Sequence, residues 1–234
     1  MPHMQAVILA SGEGKRMRPL TLERPKPLIE VAGKTLIEHV LDALPSEIGE
    51  IIIVVGYKAQ MIKEHLGDTR NGRPIRYVHQ WMPAGTAHAL SMARPFLSGR
   101  FLLMNADDIH APEALALAVT HPLSILVSEY AEPQRMGVVE KSAEGTLASI
   151  VEKPEHPKSN LVSTGAMVLD ERLFAYEAPR HESGEYFMTD PLRALAKDHP
   201  VVVVTQSLWI PVGYPEDIEP AEVRLKNVED TVNT

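Results

Sequence analysis

Between Ser11 and Pro27 the chain gathers five cations (Lys15, Arg16, Arg18, Arg24 and Lys26) against two acids, Glu13 and Glu23. The whole chain carries a formal charge of -8, from 23 basic and 31 acidic residues, so this short stretch inverts the balance and implies a local anion site. Gly12 and Gly14 stand just past an apolar run, where missing side chains let backbone N–H groups approach phosphate oxygens. No third glycine completes a dinucleotide fingerprint, and no Gly-Lys-Ser/Thr closes a P-loop. From these residues alone a surface turn with solvated charges stands as the alternative.

Other chemistries lack their residues. There is no cysteine, which excludes disulfides, thiolate metal sites and a thiol nucleophile and fits a reducing cytoplasm. The ten histidines form no His-Glu-x-x-His pattern, and no serine sits in a Gly-x-Ser-x-Gly elbow. The acidic balance offers nucleic acid no general attraction, and no apolar run approaches the roughly 20 residues of a membrane span. The start lacks the regions of a secretory signal, and residues 1–3 are expected to be a cloning remnant ahead of Met4.

The elements that must position the cationic loop follow from periodicity. At 234 residues and 25.9 kDa, 44% hydrophobic, one α/β domain with one core is expected. Residues 5–10 read as a buried strand before the loop. Thr35 and Glu38 have capping-box spacing ahead of Leu36, Ile37, Val40, Leu41 and Leu44, which share one helical face. The β-branched run 51–55, apolar on both faces, fits a central parallel strand. Alternation continues through helix 59–66, strand 75–80, helix 86–93, strand 101–104, helix 113–119 and strand 124–128, which implies a doubly wound sheet. Past Tyr130 the pieces shorten (137–140, 148–152, 162–169, a helix opened by Asp190-Pro191, strand 201–205), so a mixed second half is expected. Residues 155–160 read as an exposed turn, and the tail from Glu216 as helical and then fraying.

The string Leu9-Ala10-Ser11-Gly12-Glu13-Gly14-Lys15-Arg16-Met17-Arg18-Pro19-Leu20-Thr21, followed by Pro25-Lys26-Pro27-Leu28, resembles the signature of the sugar-1-phosphate nucleotidylyltransferases. The resemblance continues through Gly85-Thr86-Ala87-His88-Ala89, Asn105-Ala106-Asp107, Glu152-Lys153-Pro154, Ser163-Thr164-Gly165 and Trp209 to Asp217, in order over nearly the whole chain. It implies a Rossmann-like doubly wound mixed α/β sheet of the nucleotide-diphospho-sugar transferase (GT-A-like) kind. That single domain would span 4–228, with a nucleotide-binding half at 5–130, a sugar-phosphate half at 131–215 and a frayed tail at 229–234. The implied reaction is attack of a sugar-1-phosphate oxygen on the α-phosphorus of a nucleoside triphosphate, with pyrophosphate leaving. Two repelling phosphorylated substrates must be held in line, so catalysis should rest on positioning and cations.

Carried over by position, Arg16 neutralises the triphosphate and the leaving pyrophosphate, and Lys26 holds the α-phosphate. Leu9, Ala10, Ser11, Gly12, Gly14 and Lys15 lie against the nucleotide; for Lys15 and Arg24 a solvated charge is an equal reading. Gln80 and the Gly85-Thr86 pair resemble the segments that read a pyrimidine edge, which favours UTP, then dTTP. His88 is expected to pack near that pocket rather than catalyse. Gly137, Glu152, Thr164 and Gly165 resemble the sugar-binding positions and Lys153 the cation on the sugar phosphate; Ser163, where N-acetylhexosamine users often carry asparagine, leaves glucose-1-phosphate in view. Asp107 matches the Mg²⁺ carboxylate, with Asp108 as its substitute and Asn105 orienting the turn.

One departure stands out: the family's second magnesium carboxylate falls on Pro211, so water and phosphates are expected to complete the coordination around Asp107. Asp217 is expected to cap the last helix. The resemblance leaves room for a homo-oligomer and gives no reason to expect acetyl transfer, since the chain ends before any hexapeptide array. Two rivals remain at this stage: a catalytically silent nucleotide- or sugar-phosphate-binding homologue, and cytidylyl transfer to a phosphorylated alcohol such as phosphocholine.

Overall fold

The computed structural model describes residues 4–232, with side chains to 228; residues 1–3, where a remnant was expected, and residues 233 and 234 of the expected frayed tail lie outside the described residues. In chain order the elements are β1 (Met4–Ala10), α1 (Leu20–Glu23), β2 (Glu30–Val31), β3 (Lys34–Thr35), α2 (Leu36–Asp42), β4 (Ile48–Val55), α3 (Ala59–Leu66), β5 (Thr69–Arg70), β6 (Arg73–His79), α4 (Thr86–Ala93), β7 (Arg100–Asn105), β8 (Asp108–His110), α5 (Pro112–Ala118), β9 (Ser124–Glu129), β10 (Gly137–Lys141), β11 (Leu147–Glu152), β12 (Leu161–Asp170), α6 (Thr189–Asp198), β13 (Val202–Thr205), β14 (Trp209–Pro211) and α7 (Ile218–Val232). No described helix is long and apolar enough to cross a membrane.

Among the described residues ten strands form one mixed sheet, ordered β11-β10-β12-β7-β1-β4-β6-β5, with β9 joined to β12 and β13 to β9. Strands β7, β1, β4 and β6 are mutually parallel, whereas β12 runs antiparallel to β7 and to β9. The reason is visible in the side chains. Ile8, Ile51, Ile53, Val55, Leu102 and Met104 face one core with α2, α3 and α5, while Val7, Ile52, Val54, Phe101 and Leu103 face the other with α4 and α6. A strand apolar on both faces gains only where helices cover both, so the β-branched run at 51–55 sits mid-sheet, fully buried.

The chain steps outward from β1 to β4 and β6, then returns to β7 on the other side of β1. The crevice outside the strand ends at such a reversal is where a doubly wound sheet binds ligands. The four parallel strands end at Ala10, Val55, His79 and Asn105, and the loops leaving them carry Ser11, Gly56, Gln80 and Asp107. The capping box is formed: the Thr35 hydroxyl accepts from the Glu38 backbone N–H, and Glu38 accepts from the Thr35 backbone at 3.0 Å. Helix α6 opens at Thr189, one residue before the expected Asp190, and α7 continues past the expected boundary at 228.

Candidate active site

The cationic loop is anchored by one apolar residue. Met17 is fully buried with Ile29, Val31, Leu36, Ile109, Ile210 and Val212, leaving Lys15, Arg16 and Arg18 outside. Burying such a side chain is worth about 1.5–3 kcal/mol, one of several contributions that set the path of the charged loop. Gly14 makes the turn in the left-handed region, at φ 61° and ψ 40°. A Cβ there would lie 2.9 Å from Lys26 Cβ and 3.1 Å from Thr21 Cγ2, so the bare glycine lets the Lys26 stem pack against the loop. The Thr21 hydroxyl donates to the Gly14 carbonyl at 2.9 Å, and the Tyr57 hydroxyl to the Thr21 carbonyl at 2.8 Å, tying the loop to the end of β4.

A cleft of about 610 Å³ opens over these strand ends, within the size of small-molecule sites. Leu9, Ala10, Ser11, Gly12, Gly14, Lys15, Gln80, Gly85 and Thr86, the expected nucleotide-side residues, all line it with Arg16, Lys26 and Asp107. Lys26 Nζ meets Asp107 Oδ2 at 2.5 Å; their side chains are 11% and 31% exposed, so the pair is sheltered yet open toward the cleft. Asp107 lies in the turn between β7 and β8, two residues beyond the strand end. Asn105 orients that turn, its amide donating to Asp108 Oδ2 at 3.3 Å. Burial and the neighbouring Asp107 charge push the Asp108 carboxyl well above the usual carboxylate range, against the opposing pull of Lys26 and Asn105. The Arg16 guanidinium lies over the Tyr214 ring at 5.3 Å and Arg135 over the same ring at 5.8 Å.

The five sugar-side residues do not line this cleft. Gly137 pairs across strands with Glu152, and a Cβ on it would lie 3.0 Å from Thr189 Cγ2. Lys153 adopts φ 42° and holds its ammonium 3.4 Å from Glu152 Oε1 and 5.0 Å over Phe187. Thr189 Oγ1, buried beside Gly137, has no hydrogen-bond partner among the described residues. Gly165, at φ 77°, lies against Asn105 and Asp108, where no Cβ fits. Thr164 is different: its hydroxyl is buried, donates to the Leu126 carbonyl at 3.0 Å and accepts from Gln206 at 2.9 Å, so its proton is spent and its oxygen has no exposed surface to offer a sugar.

Position 211 lies opposite Asp108 in the β8–β14 pair, so the proline stands beside the acidic turn. Asp217 reaches back to accept from the Gly213 and Tyr214 backbone N–H groups at 2.7 and 2.8 Å, capping the 3-10 turn that precedes α7. Sequence reading passed over Gly56. A Cβ there would lie 2.7 Å from the Ser11 carbonyl oxygen and 3.1 Å from that of Gln80, so its bareness lets β4 bring those two residues together. Its signal is the one read at Gly12, a glycine just past a parallel strand. Pro83, Ser183 and Glu185 also line the cleft from loops without a motif.

Comparisons with known proteins give the family. The nucleotidyl transferase family model matches residues 5–227. The bifunctional protein GlmU of Methanocaldococcus jannaschii is 32% identical over 234 residues, covering 99% of this chain and 56% of that protein. The UTP–glucose-1-phosphate uridylyltransferase AglF of Haloferax volcanii is 34% identical over 235 residues, covering 95% of this chain and 97% of that protein. The chain thus spans about half the length of the GlmU relatives it matches and nearly all of AglF. A crystal structure named as a glucose-1-phosphate thymidylyltransferase from Bacillus anthracis, in complex with sucrose, superposes with a TM-score of 0.86 at 25% identity, covering 94% of both chains. The family model spans nearly the whole length of the chain, from the strand before the cationic loop to the last helix, and the chain belongs to the nucleotidyl transferase family.

Proposed function

We propose that this protein transfers a nucleotidyl group from a nucleoside triphosphate, UTP or dTTP, to a sugar-1-phosphate, releasing pyrophosphate. The observation that carries the reading is the convergence of Arg16, the Lys26–Asp107 pair and the Gly12–Gly14 backbone on one cleft. In this reading the loop backbone and Lys15 receive the β- and γ-phosphates, and Arg16 leaves its stack on Tyr214 to neutralise the departing pyrophosphate. Lys26 holds the α-phosphate in line with the attacking oxygen. Preorganised cations that meet charge as it develops are typically worth about 3–4 kcal/mol each in the transition state. The sugar-1-phosphate approaches from the side of Gly137, Glu152, Lys153 and Gly165, where the Glu152 carboxylate is suited to sugar hydroxyls. Thr164 contributes at most backbone.

Mg²⁺ fits the donor set at the acidic turn. Asp107 faces the cleft, Asp108 stands next to it with its ionisation disfavoured by burial and by the Asp107 charge, and Pro211 offers no side-chain ligand. Among the described residues no cluster of three or more His, Asp or Glu is arranged to hold a metal, so Asp107 would hold the ion together with phosphate oxygens and water, a habit of Mg²⁺. When bound, the ion supplies charge neutralisation on the phosphates.

The test is pyrophosphate release with Mg²⁺, crossing UTP, dTTP, CTP, GTP and ATP with glucose-, N-acetylglucosamine- and mannose-1-phosphate, with Lys26→Ala as the blank. Release in a uridylyl or thymidylyl cell supports the reading. Silence throughout, with nucleotide-dependent thermal stabilisation, would replace it by a binding protein, the alternative that Pro211 favours.

A further inference from the structure

We propose that the protein carries a second ligand site, back to back with the cleft across α4, for a small molecule with a flat apolar body and one anionic group, and that its occupant tightens nucleotide binding. The site stands on its own geometry; only the coupling rests on the nucleotide-binding reading of the cleft given above.

A cavity of about 550 Å³ opens between α4, the 173–186 segment and the start of α6. Buried Leu90, Leu173 and Met188 and the half-buried rings of Phe174, Tyr176 and Tyr186 line it. An apolar lining of this size with a few polar groups to fix orientation is the usual form of a small-molecule site, and aromatic walls favour a flat ligand. The polar groups here are cationic. The Arg94 guanidinium lies over the Phe174 ring at 5.1 Å, and Arg180 Nε donates to the Gly184 carbonyl at 3.4 Å. Both side chains belong to exposed residues, and among the described residues neither forms an ion pair; Glu177 also lines the cavity and pairs with neither. In a chain of formal charge -8, two unpaired guanidiniums beside apolar rings select an anion, whose oxygens their planar forks can hold in pairs.

The cavity and the cleft share one wall. Along α4, Gly85, Thr86 and Ala89 line the cleft, while Ala87, Leu90 and Ser91 line the cavity. In the loop before α6 the sides alternate: Ser183 and Glu185 belong to the cleft, Gly184 and Tyr186 to the cavity. Three hydrogen bonds bind the loop to the helix: Tyr186 N–H to the Ala84 carbonyl and Ala87 N–H to the Tyr186 carbonyl, each 2.9 Å, and Met188 N–H to the Thr86 hydroxyl at 3.1 Å. A ligand packed on Tyr186 and Met188 braces the segment that holds Gly85 and Thr86, so a nucleotide entering the filled protein has less left to order. By reciprocity the nucleotide tightens the anion by the same factor.

The experiment titrates the full chain with 1-anilinonaphthalene-8-sulfonate by calorimetry and fluorescence, beside N-phenyl-1-naphthylamine, the same ring system without the sulfonate. The sulfonate should bind one to one and about ten-fold more tightly than the uncharged amine, the worth of one charged hydrogen bond. Arg94→Gln and Arg180→Gln should each weaken the sulfonate by up to about ten-fold and leave the amine within about two-fold. Ala178→Trp, which fills the cavity from its loop, should abolish binding of both probes. Thermal unfolding checks that each variant is folded, and the comparison of the two probes on wild type needs no variant. Saturating sulfonate should lower the UTP dissociation constant about five-fold, and UTP that of the sulfonate by the same factor. Several weak sites, or sulfonate binding unchanged in both arginine variants and in Ala178→Trp, would mean adsorption on exposed apolar residues such as Trp81 and Met82 and overturns the site. A UTP affinity indifferent to the sulfonate overturns the coupling. Absence of any nucleoside triphosphate binding would defeat the nucleotide reading of the cleft, while arginine-dependent one-to-one binding of the sulfonate would still uphold the site, so the two failures are distinguishable.

Discussion

Replacing Gly85 by alanine should loosen the nucleotide wall and the sugar-side loop together. Gly85 precedes α4 at φ 90° and ψ 177°, a conformation nearly confined to glycine, and forcing alanine into it costs about 1–3 kcal/mol. The added Cβ would lie 2.5 Å from the Tyr186 carbonyl oxygen and 2.7 Å from its nitrogen. These are backbone atoms, so relief requires the loop segment at Tyr186 to move, breaking the 2.9 Å bonds from Tyr186 N to the Ala84 carbonyl and from Ala87 N to the Tyr186 carbonyl. At about 0.5–1.5 kcal/mol each, those bonds bring the total to about 2–6 kcal/mol. For a domain of this size about 4 kcal/mol lowers Tm by roughly 8–16 °C. Calorimetric unfolding of Gly85→Ala against wild type measures this directly, with Gly12→Ala as the contrast. Gly12 has nothing within 4 Å of a built Cβ, so its variant should keep the wild-type Tm while losing triphosphate affinity about ten-fold if, as proposed, the loop backbone there receives phosphate. A Gly85→Ala variant melting within about 2 °C of wild type would refute the reasoning.

Lys26→Ala should lower turnover by about 10²–10³-fold with the fold retained, since its partner Asp107 is 31% exposed and can be hydrated; wild-type rates would remove Lys26 from the site. Pro211→Asp sets a carboxylate opposite Asp108 and should lower the Mg²⁺ concentration for half-maximal activity, whereas an unchanged titration would mean that another acid already fills the role. Burial opposes ionisation of Glu38, but the Thr35 backbone N–H and hydroxyl, with the charges of His65 and Arg70, outweigh it and bring its carboxyl down to about 2. A depressed carboxyl stabilises the fold above its unfolded value of 4.5 and loses that contribution as pH falls toward 2, so Glu38→Gln should be less stable by about 1–2 kcal/mol at pH 7 and match wild type near pH 2. Urea unfolding across that range checks the sign, and a deficit that grows toward low pH would contradict it.

What the sequence determined by itself was local or strongly patterned. The Thr35–Glu38 box, the helices at 59–66 and 86–93 and the run at 51–55 were legible because capping, periodicity and β-branching act within a few residues. The cationic loop was legible as an anion site, since its charge and glycines need no partner to be noticed. Tertiary structure decided what depends on contacts far apart in the chain. Strands β8 and β14 have three residues each and exist only as each other's partner across about a hundred positions, and that pairing puts Pro211 beside Asp108. Thr164, read as a sugar contact, spends its hydroxyl on Leu126 and Gln206, neighbours that only folding supplies. Gly56 became meaningful through the Ser11 and Gln80 carbonyls that crowd it, and the buried Gln80 amide meets Ser11 from the loop after β1 and His88 on α4 at once. Side-chain type sets which hydrogen bonds and charges are available; the fold alone decides which of them are already spent before a substrate arrives.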